Sequence, residues 1–350
     1  MANDTDHPSG QDEMKINDIV ERLEEVRSDA EDRTVDTEEG ILVDQIEEVE
    51  KRLIEFGNAL GGDVSDVTDL PFTEEATKDK MPEPLYVRHD QEMLNQITSW
   101  LLQGQHIGLV SPYGTGKSSF REIVLRDLST HDDFIITAVR NASETTPRQL
   151  YQTILRAAFD AGYELNTDDY WQTRDGIPWA TEEARRAVEE IAEKVLEDDA
   201  LLYLLIDEIE VLPEELLSPI QVAGDSGIRL FLMGTLEGKE RVGDLRNTLN
   251  SRLRYYEGIE PFSPTDVDEY VARSLAYFRG ESYEGQSQQL FTKAAIKDIH
   301  EETEGVPREV RIECRELFTR AAFVWYRTGQ PIDRIQVTPQ LRHKRFGMEY

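Results

Sequence analysis

The first group in this chain that could do chemistry is a lysine held between small residues. The stretch Gly108-Leu109-Val110-Ser111-Pro112-Tyr113-Gly114-Thr115-Gly116-Lys117-Ser118-Ser119 leads from an apolar run, Ile107 to Val110, into Phe120 to Leu128. The run reads as a buried strand and Phe120 to Leu128 as a helix. A loop between them gathers backbone N–H groups at a helix N-terminus, where they and the helix dipole favour an anion. Closed by Gly-Lys-Ser, it is the pattern of a phosphate-binding loop. Ser111, Pro112, Tyr113, Gly114, Thr115, Gly116, Lys117, Ser118 and Ser119 would surround a triphosphate. Lys117 would reach its β- and γ-phosphates, and the Ser118 hydroxyl would hold Mg²⁺. The first position of the pattern, ordinarily glycine, is Ser111; serine is small enough for a turn but resists positive φ.

A second constellation lies roughly 90 residues on. Leu201-Leu202-Tyr203-Leu204-Leu205-Ile206-Asp207-Glu208 is a run of apolar residues ending in two carboxylates. A run without alternation is what a strand covered on both faces needs. The carboxylates then fall at its C-terminal end, where open α/β sheets bind ligands. Asp207 would join Ser118 in the Mg²⁺ shell, and Glu208 would orient and activate water, as in a Walker B motif. ATP and Mg²⁺ are the cofactors these two motifs require together.

Composition bounds the possibilities. The 350 residues suffice for two domains, and the single cysteine, Cys314, excludes an intrachain disulfide or a cysteine zinc site. The six histidines show no metal-ligand spacing. No apolar stretch of membrane-spanning length and no signal-peptide pattern occur, so the expectation is a cytoplasmic protein without membrane insertion. The net charge is −33, from 71 acidic and 38 basic residues, and arginine outnumbers lysine. About half of the acid excess lies in residues 1–80. Such a surface suits a cytosol at high salt and points to a halophilic archaeon or one of its mobile elements; a mesophilic protein with an acidic tail is the alternative. It argues against strong intrinsic binding of duplex DNA, which calls for a basic stripe.

These motifs need a sheet to position them. Residues 1–84 read as an acidic N-terminal segment. It comprises a polar start, helical patterns over Ile16 to Val26 and Leu42 to Phe56 joined by the connector Ser28 to Gly40, and a linker from Gly61 to Pro84. The two helices read as an antiparallel pair, a partner-binding segment, or a solvated helix packed on the main domain. Residues 85–263 alternate helix and strand: helices over Asp90 to Leu102, Pro147 to Ala161 and Thr181 to Leu196, and strands at Ile107, Phe134, Leu201 and Ile228. Gly258 to Phe262 reads as a fifth strand. This is the pattern of a parallel five-stranded α/β core. Residues 264–350 are helical, over Pro264 to Arg279, Ser287 to Glu302 and Pro307 to Tyr326, with a short run Ile335 to Thr338 and a final turn.

The order of parts over residues 84–344 resembles an AAA+ ATPase, a P-loop NTPase core followed by a small helical lid domain. Within that class it resembles the archaeal origin-recognition initiators and the ExeA-type secretion and transposition ATPases. The phrase Pro261-Phe262-Ser263-Pro264-Thr265-Asp266-Val267 is shared with both. So is Val139-Arg140-Asn141 followed by Thr146-Pro147-Arg148-Gln149-Leu150. The phrase Gly305-Val306-Pro307-Arg308-Glu309-Val310 looks closer to the ExeA type. The resemblance implies roles for further residues. Thr235, following Gly234 at the tip of the fourth strand, would be sensor 1, where many relatives carry asparagine. Arg252, in Asn250-Ser251-Arg252-Leu253-Arg254, would be an arginine finger reaching a neighbouring subunit, with Arg254 the competing candidate. Arg308 would be sensor 2.

The implied activity is slow, assembly-gated ATP hydrolysis in a homo- or hetero-oligomer, with protein partners docked through the N-terminal helices or the lid. Origin-binding relatives carry a C-terminal winged-helix domain, and none is expected in the short stretch after Val337 here. The expected function is a nucleotide-driven switch in DNA replication or mobile-element transactions. The alternatives are an ExeA-like energiser of another assembly and a scaffold of low turnover. The basic end, Arg342-His343-Lys344-Arg345, reads as a phosphate contact or as a charged tail.

Overall fold

The computed structural model describes residues 41–73, 81–139 and 141–343. The first helical pattern, the connector to Gly40, Arg140, part of the linker and the basic residues past 343 therefore lie outside the described residues. The chain divides into two compact units between Arg52 and Leu53. Of the first unit only the start of helix α1 (Ile41–Ala59) is described, with Arg52 paired to Glu48 one turn before it.

The second unit holds everything else. In chain order its elements are α2 (Gln91–Leu102), β1 (Ile107–Val110), α3 (Lys117–Leu128), β2 (Phe134–Val139), α4 (Pro147–Asp160), β3 (Thr173–Arg174), β4 (Ile177–Pro178) and α5 (Thr181–Glu197). Then follow β5 (Leu201–Ile206), α6 (Glu214–Asp225), β6 (Arg229–Gly234), α7 (Leu236–Leu245), α8 (Asn247–Asn250) and β7 (Arg254–Glu257). The last helices are α9 (Pro264–Phe278), α10 (Lys293–Thr303), α11 (Pro307–Thr328) and α12 (Pro339–His343).

The main sheet has five parallel strands in the order β2-β5-β6-β1-β7. Strand β5 shows why its sequence is apolar throughout. Leu202, Leu204 and Ile206 enter the core beneath α4, α5 and α6, while Tyr203 and Leu205 enter the core beneath α2 and α3. Successive side chains point to opposite faces, so both sets must be apolar. Each such fully buried Leu or Ile contributes about 1.5–3 kcal/mol.

Register sets the site. Val110 pairs with Gly234 on one side and with Glu257 on the other, and Ile206 pairs with Leu232. The carboxyl ends of β1, β5 and β6 therefore meet at one edge.

The fifth strand is Arg254–Glu257 rather than Gly258 to Phe262. Its residues pair with Ile107 to Val110, and Gly258, at φ 81°, ends it. Helix α10 begins at Lys293, not Ser287, because Phe291 bridges Val337 and Thr292 caps the helix by accepting from the Ala295 N–H. The loop holding Tyr170, Trp171 and Trp179 contains the hairpin β3–β4, turned at Asp175-Gly176, both at positive φ.

Two of the phrases that carry the resemblance are helix starts. Thr146 and Gln149 form a capping box on α4, and Ser263 and Asp266 form another on α9, each with proline in the first turn.

The last helices and the end of α1 share one core. Phe56 is fully buried against Phe318 and Trp325, at ring centroid distances of 5.1 and 5.7 Å. Phe72, in the stretch read as a linker, is buried in the same core. Arg342 is held by Glu313, Glu302 and Asp298 at 2.8, 3.1 and 3.3 Å. Among the described residues no helix is long and apolar enough to cross a membrane.

Candidate functional site

The loop after β1 keeps its glycines where the backbone needs them. Gly114 and Gly116 lie at φ 82° and 98°, in the left-handed region that glycine adopts without strain. Ser111 does not occupy that region, so serine is tolerated at the first position. It is buried and does more than fill a turn. Its N–H extends the pairing with β6 by donating to the Gly234 carbonyl (3.0 Å), and its Oγ accepts from the Ile259 N–H (3.1 Å), tying the loop to the segment that follows β7.

Lys117 opens α3 and is buried. Its Nζ donates to the carbonyls of Ser111 (2.7 Å) and Pro112 (2.8 Å). Burial pushes its pKa down, against the pull of Asp207, Glu210 and Glu208. The carbonyls are replaceable partners, so a phosphate oxygen could take the same ammonium. The exposed Tyr113 stands over Nζ, with its ring centroid at 5.7 Å.

The two sequence motifs meet. The Ser118 hydroxyl donates to Asp207 Oδ2 at 2.8 Å across 89 positions of sequence. A serine hydroxyl beside a carboxylate is a hard-oxygen donor set that fits Mg²⁺. Arg121, one turn into α3, contacts the same Oδ2 at 3.2 Å and also pairs with Glu122 at 2.8 Å.

Glu208 is exposed and sits at φ 57°, ψ 50°, a left-handed conformation uncommon for a residue with a Cβ. Its N–H donates to Asp207 Oδ1 (2.9 Å), which holds that conformation. Glu210 packs against Gly234 and Gly238 and accepts from the Thr235 N–H (3.1 Å). Thr235 is buried and caps α7, its Oγ1 accepting from the Gly238 N–H (3.2 Å). It is not among the residues lining the cavity described next.

The loop, Asp207 and Glu208 open onto a cavity of about 320 Å³. The N-terminus of α11 meets the loop there. The Arg308 N–H donates to the Gly114 carbonyl (3.1 Å), and a side chain at Gly114 would press on Arg308 Cβ. The side chains of Arg308 and, one turn further, Arg311 line the cavity. Gly305 makes this approach possible. At φ 71° its backbone lies against Phe262, whose N–H donates to the Gly305 carbonyl (2.8 Å).

The far end of the cavity is apolar. Leu85, Val87, Phe262 and Tyr270, all buried, line it together with His89.

Arg252 and Arg254 lie elsewhere. Arg254 starts β7 opposite Ile107, at the amino end of β1, and its guanidinium stacks on Trp100 at 5.0 Å. Arg252, two residues earlier, pairs with Asp225 and is partly exposed. Neither lines the cavity of its own chain.

Arg121, Glu210, Arg311 and the apolar end were not expected from sequence. Arg311 had a signal, since it stands three residues after Arg308 and so shares its helix face. The apolar end had none, because its members come from segments far apart in sequence. Among the described residues, no group of three or more His, Cys, Asp or Glu side chains forms a metal site.

Residues 101–242 match the protein-family model described as AAA domain. No curated protein matches the chain. Among solved structures it is similar to Cdc6p from Pyrobaculum aerophilum, at 15% identity and a TM-score of 0.47, over 79% of this chain and 71% of that one. It is similar to the Aeropyrum pernix ORC1 protein in complex with DNA, at 16% identity and 0.47, over 75% and 66%. A third is the Aeropyrum pernix ORC2 protein in its ADPNP–ADP complexes, at 16% and 0.47, over 79% and 70%. The family match over residues 101–242 takes in the phosphate-type loop, Asp207 and Glu208, and four of the five parallel strands.

Proposed function

We propose that this protein is an ATP-binding and ATP-hydrolysing AAA+ switch whose nucleotide state controls a larger assembly. The observation that carries the reading is the 2.8 Å contact between Ser118 and Asp207, which joins two separate motifs beside the buried Lys117. In this reading Lys117 and the loop N–H groups hold the phosphates, and Ser118 and Asp207 hold Mg²⁺. That ion, when bound, offsets phosphate charge. Glu208 orients the attacking water, Thr235 supports it from the tip of β6, and Arg308 reports the nucleotide to the helices after the sheet.

Arg252 acts in trans in this reading. Its position at the amino end of the sheet keeps it from its own loop, and its partly exposed pair with Asp225 is worth only about 0–1 kcal/mol, so release costs little. A neighbouring copy or a related subunit would then complete each site. The net charge of −33 supports action on DNA replication or mobile elements through partner proteins rather than through tight duplex binding. The phrase Gly305 to Val310 favours a second reading, an ExeA-like energiser of another assembly.

Titration of labelled ATP against the parent and Lys117→Ala tests the core claim. Loss of a charged hydrogen-bond partner should weaken binding by about a hundredfold with the fold intact. Equal affinities would sink it. Mixing Lys117→Ala with Arg252→Ala should restore part of the hydrolysis each has lost, and failure to do so would remove the trans role.

A further inference from the structure

Asp207 is paired with a cation of its own chain. Three donors converge on its buried carboxylate. Oδ1 accepts from the Glu208 N–H (2.9 Å), and Oδ2 accepts from the Ser118 hydroxyl (2.8 Å) and from Arg121 Nη1 (3.2 Å). Ser118 and Arg121 stand three residues apart on α3, a spacing that puts both on one helix face. Glu122 holds the guanidinium from its other edge, where Oε1 accepts from Nε (3.1 Å) and Nη2 (2.8 Å) and leaves Nη1 for Asp207. The side chains of Arg121 and Asp207 are only 19% and 8% exposed, so salt screens this pair less than a surface pair.

Arg121 does not itself line the cavity. It acts on the site through Asp207. A guanidinium stays protonated at any working pH, so this positive charge is permanent. A divalent cation drawn to Ser118 and Asp207 meets a carboxylate whose charge is already offset, beside a second cation that repels it. Without a divalent cation, the same guanidinium keeps a bare carboxylate from facing the phosphates. Both effects act in one direction. They lessen the difference that a divalent cation makes to phosphate binding.

We propose that Arg121 is a resident counter-cation of Asp207 that sets how strongly ATP binding depends on Mg²⁺. It offsets the carboxylate when the metal is absent and opposes the metal when it is present. The proposal rests on the nucleotide-binding reading above. Arg121 is a positioning residue: it touches Asp207 and takes no part in phosphate chemistry. The dependence is a coupling between two ligands, so the factor by which Mg²⁺ tightens ATP is the factor by which ATP tightens Mg²⁺.

The test is titration of labelled ATP against the full chain, once with EDTA and once with saturating Mg²⁺, at one ionic strength. The readout is the ratio of the two Kd values. In the parent, EDTA should weaken ATP binding by no more than about tenfold. Arg121→Gln removes the charge but keeps a donor for Oδ2. Its binding in EDTA should weaken, its binding in Mg²⁺ should hold or tighten, and the ratio should rise by about tenfold or more. Arg121→Lys keeps the charge, so its ratio should stay within about threefold of the parent's. A side chain that only packs would weaken both conditions alike, and an unchanged ratio in Arg121→Gln would overturn the proposal. A ratio that rises as far in Arg121→Lys would do the same. A parent ratio above about tenfold would overturn it with no variant needed. If the parent binds ATP in neither condition, the nucleotide-binding reading itself falls, an outcome distinct from a changed ratio.

Discussion

The loop end of the cavity takes its groups from one unbroken stretch, Ser111 to Ser119, and from Asp207 and Glu208 at the tip of a single strand. The apolar end takes Leu85, Val87 and His89 from one segment, Phe262 and Tyr270 from a second, and meets Arg308 and Arg311 from a third. The loop end is polar, with left-handed backbone at Gly114, Gly116 and Glu208. The apolar end is built by packing and depends on how the helices after β7 dock on the sheet. The joints of that docking are Phe262 N–H to Gly305 O (2.8 Å) and Arg308 N–H to Gly114 O (3.1 Å). One end of the cavity is therefore a property of local sequence, and the other is a property of an interface. A ligand spanning both would couple the sheet to the helices.

The largest expected effect falls on the joint. A Cβ at Gly305 would lie 2.1 Å from the Phe262 carbonyl oxygen, and its φ of 71° is already strained for any other residue. Gly305→Ala should lower stability by about 3 kcal/mol, read by denaturant unfolding. A loss below about 1 kcal/mol would mean the docking is looser than this contact implies. The loop end should answer differently. Glu208→Gln keeps the side-chain size and the backbone at φ 57°, so ATP should still bind while turnover falls at least about tenfold. Parental turnover in that variant would show that the exposed carboxylate is not the group that activates water. The smallest effect belongs to the seam between the ends. Ser111→Ala leaves the buried Ile259 N–H without its acceptor and should cost about 1 kcal/mol in thermal or denaturant unfolding. An unchanged midpoint would show that the serine hydroxyl only fills space.

Much of the sheet was legible in the chain. The apolar run Leu201 to Ile206 announces burial on both faces, and each residue from Leu202 to Ile206 enters one core or the other. The helix starts at Thr146 and Ser263 were legible as phrases, and their meaning is the capping box that each one forms. The last strand was misplaced by four residues, because Gly258 to Phe262 is apolar enough to suggest a strand while pairing to β1 is made by Arg254 to Glu257. Helix α10 was started too early because Phe291 is apolar for a bridge to Val337, not for a helix face. In both cases a tertiary pairing used residues that periodicity assigned elsewhere.

What the sequence determined by itself is the phosphate-type loop, the carboxylates at the end of β5 and the alternation that places both at one edge of a parallel sheet. These are local because a phosphate group needs consecutive N–H donors, and consecutive donors need consecutive residues. Tertiary structure alone decided that Ser111 needs no left-handed backbone, that Arg121 joins the two motifs while Glu210 ties the end of β5 to Thr235, and that Arg252 lies away from its own loop. Those facts follow from contacts between residues as far apart as Ser111 and Ile259 or Asp90 and Glu260, and no spacing rule along a chain encodes a contact at that separation.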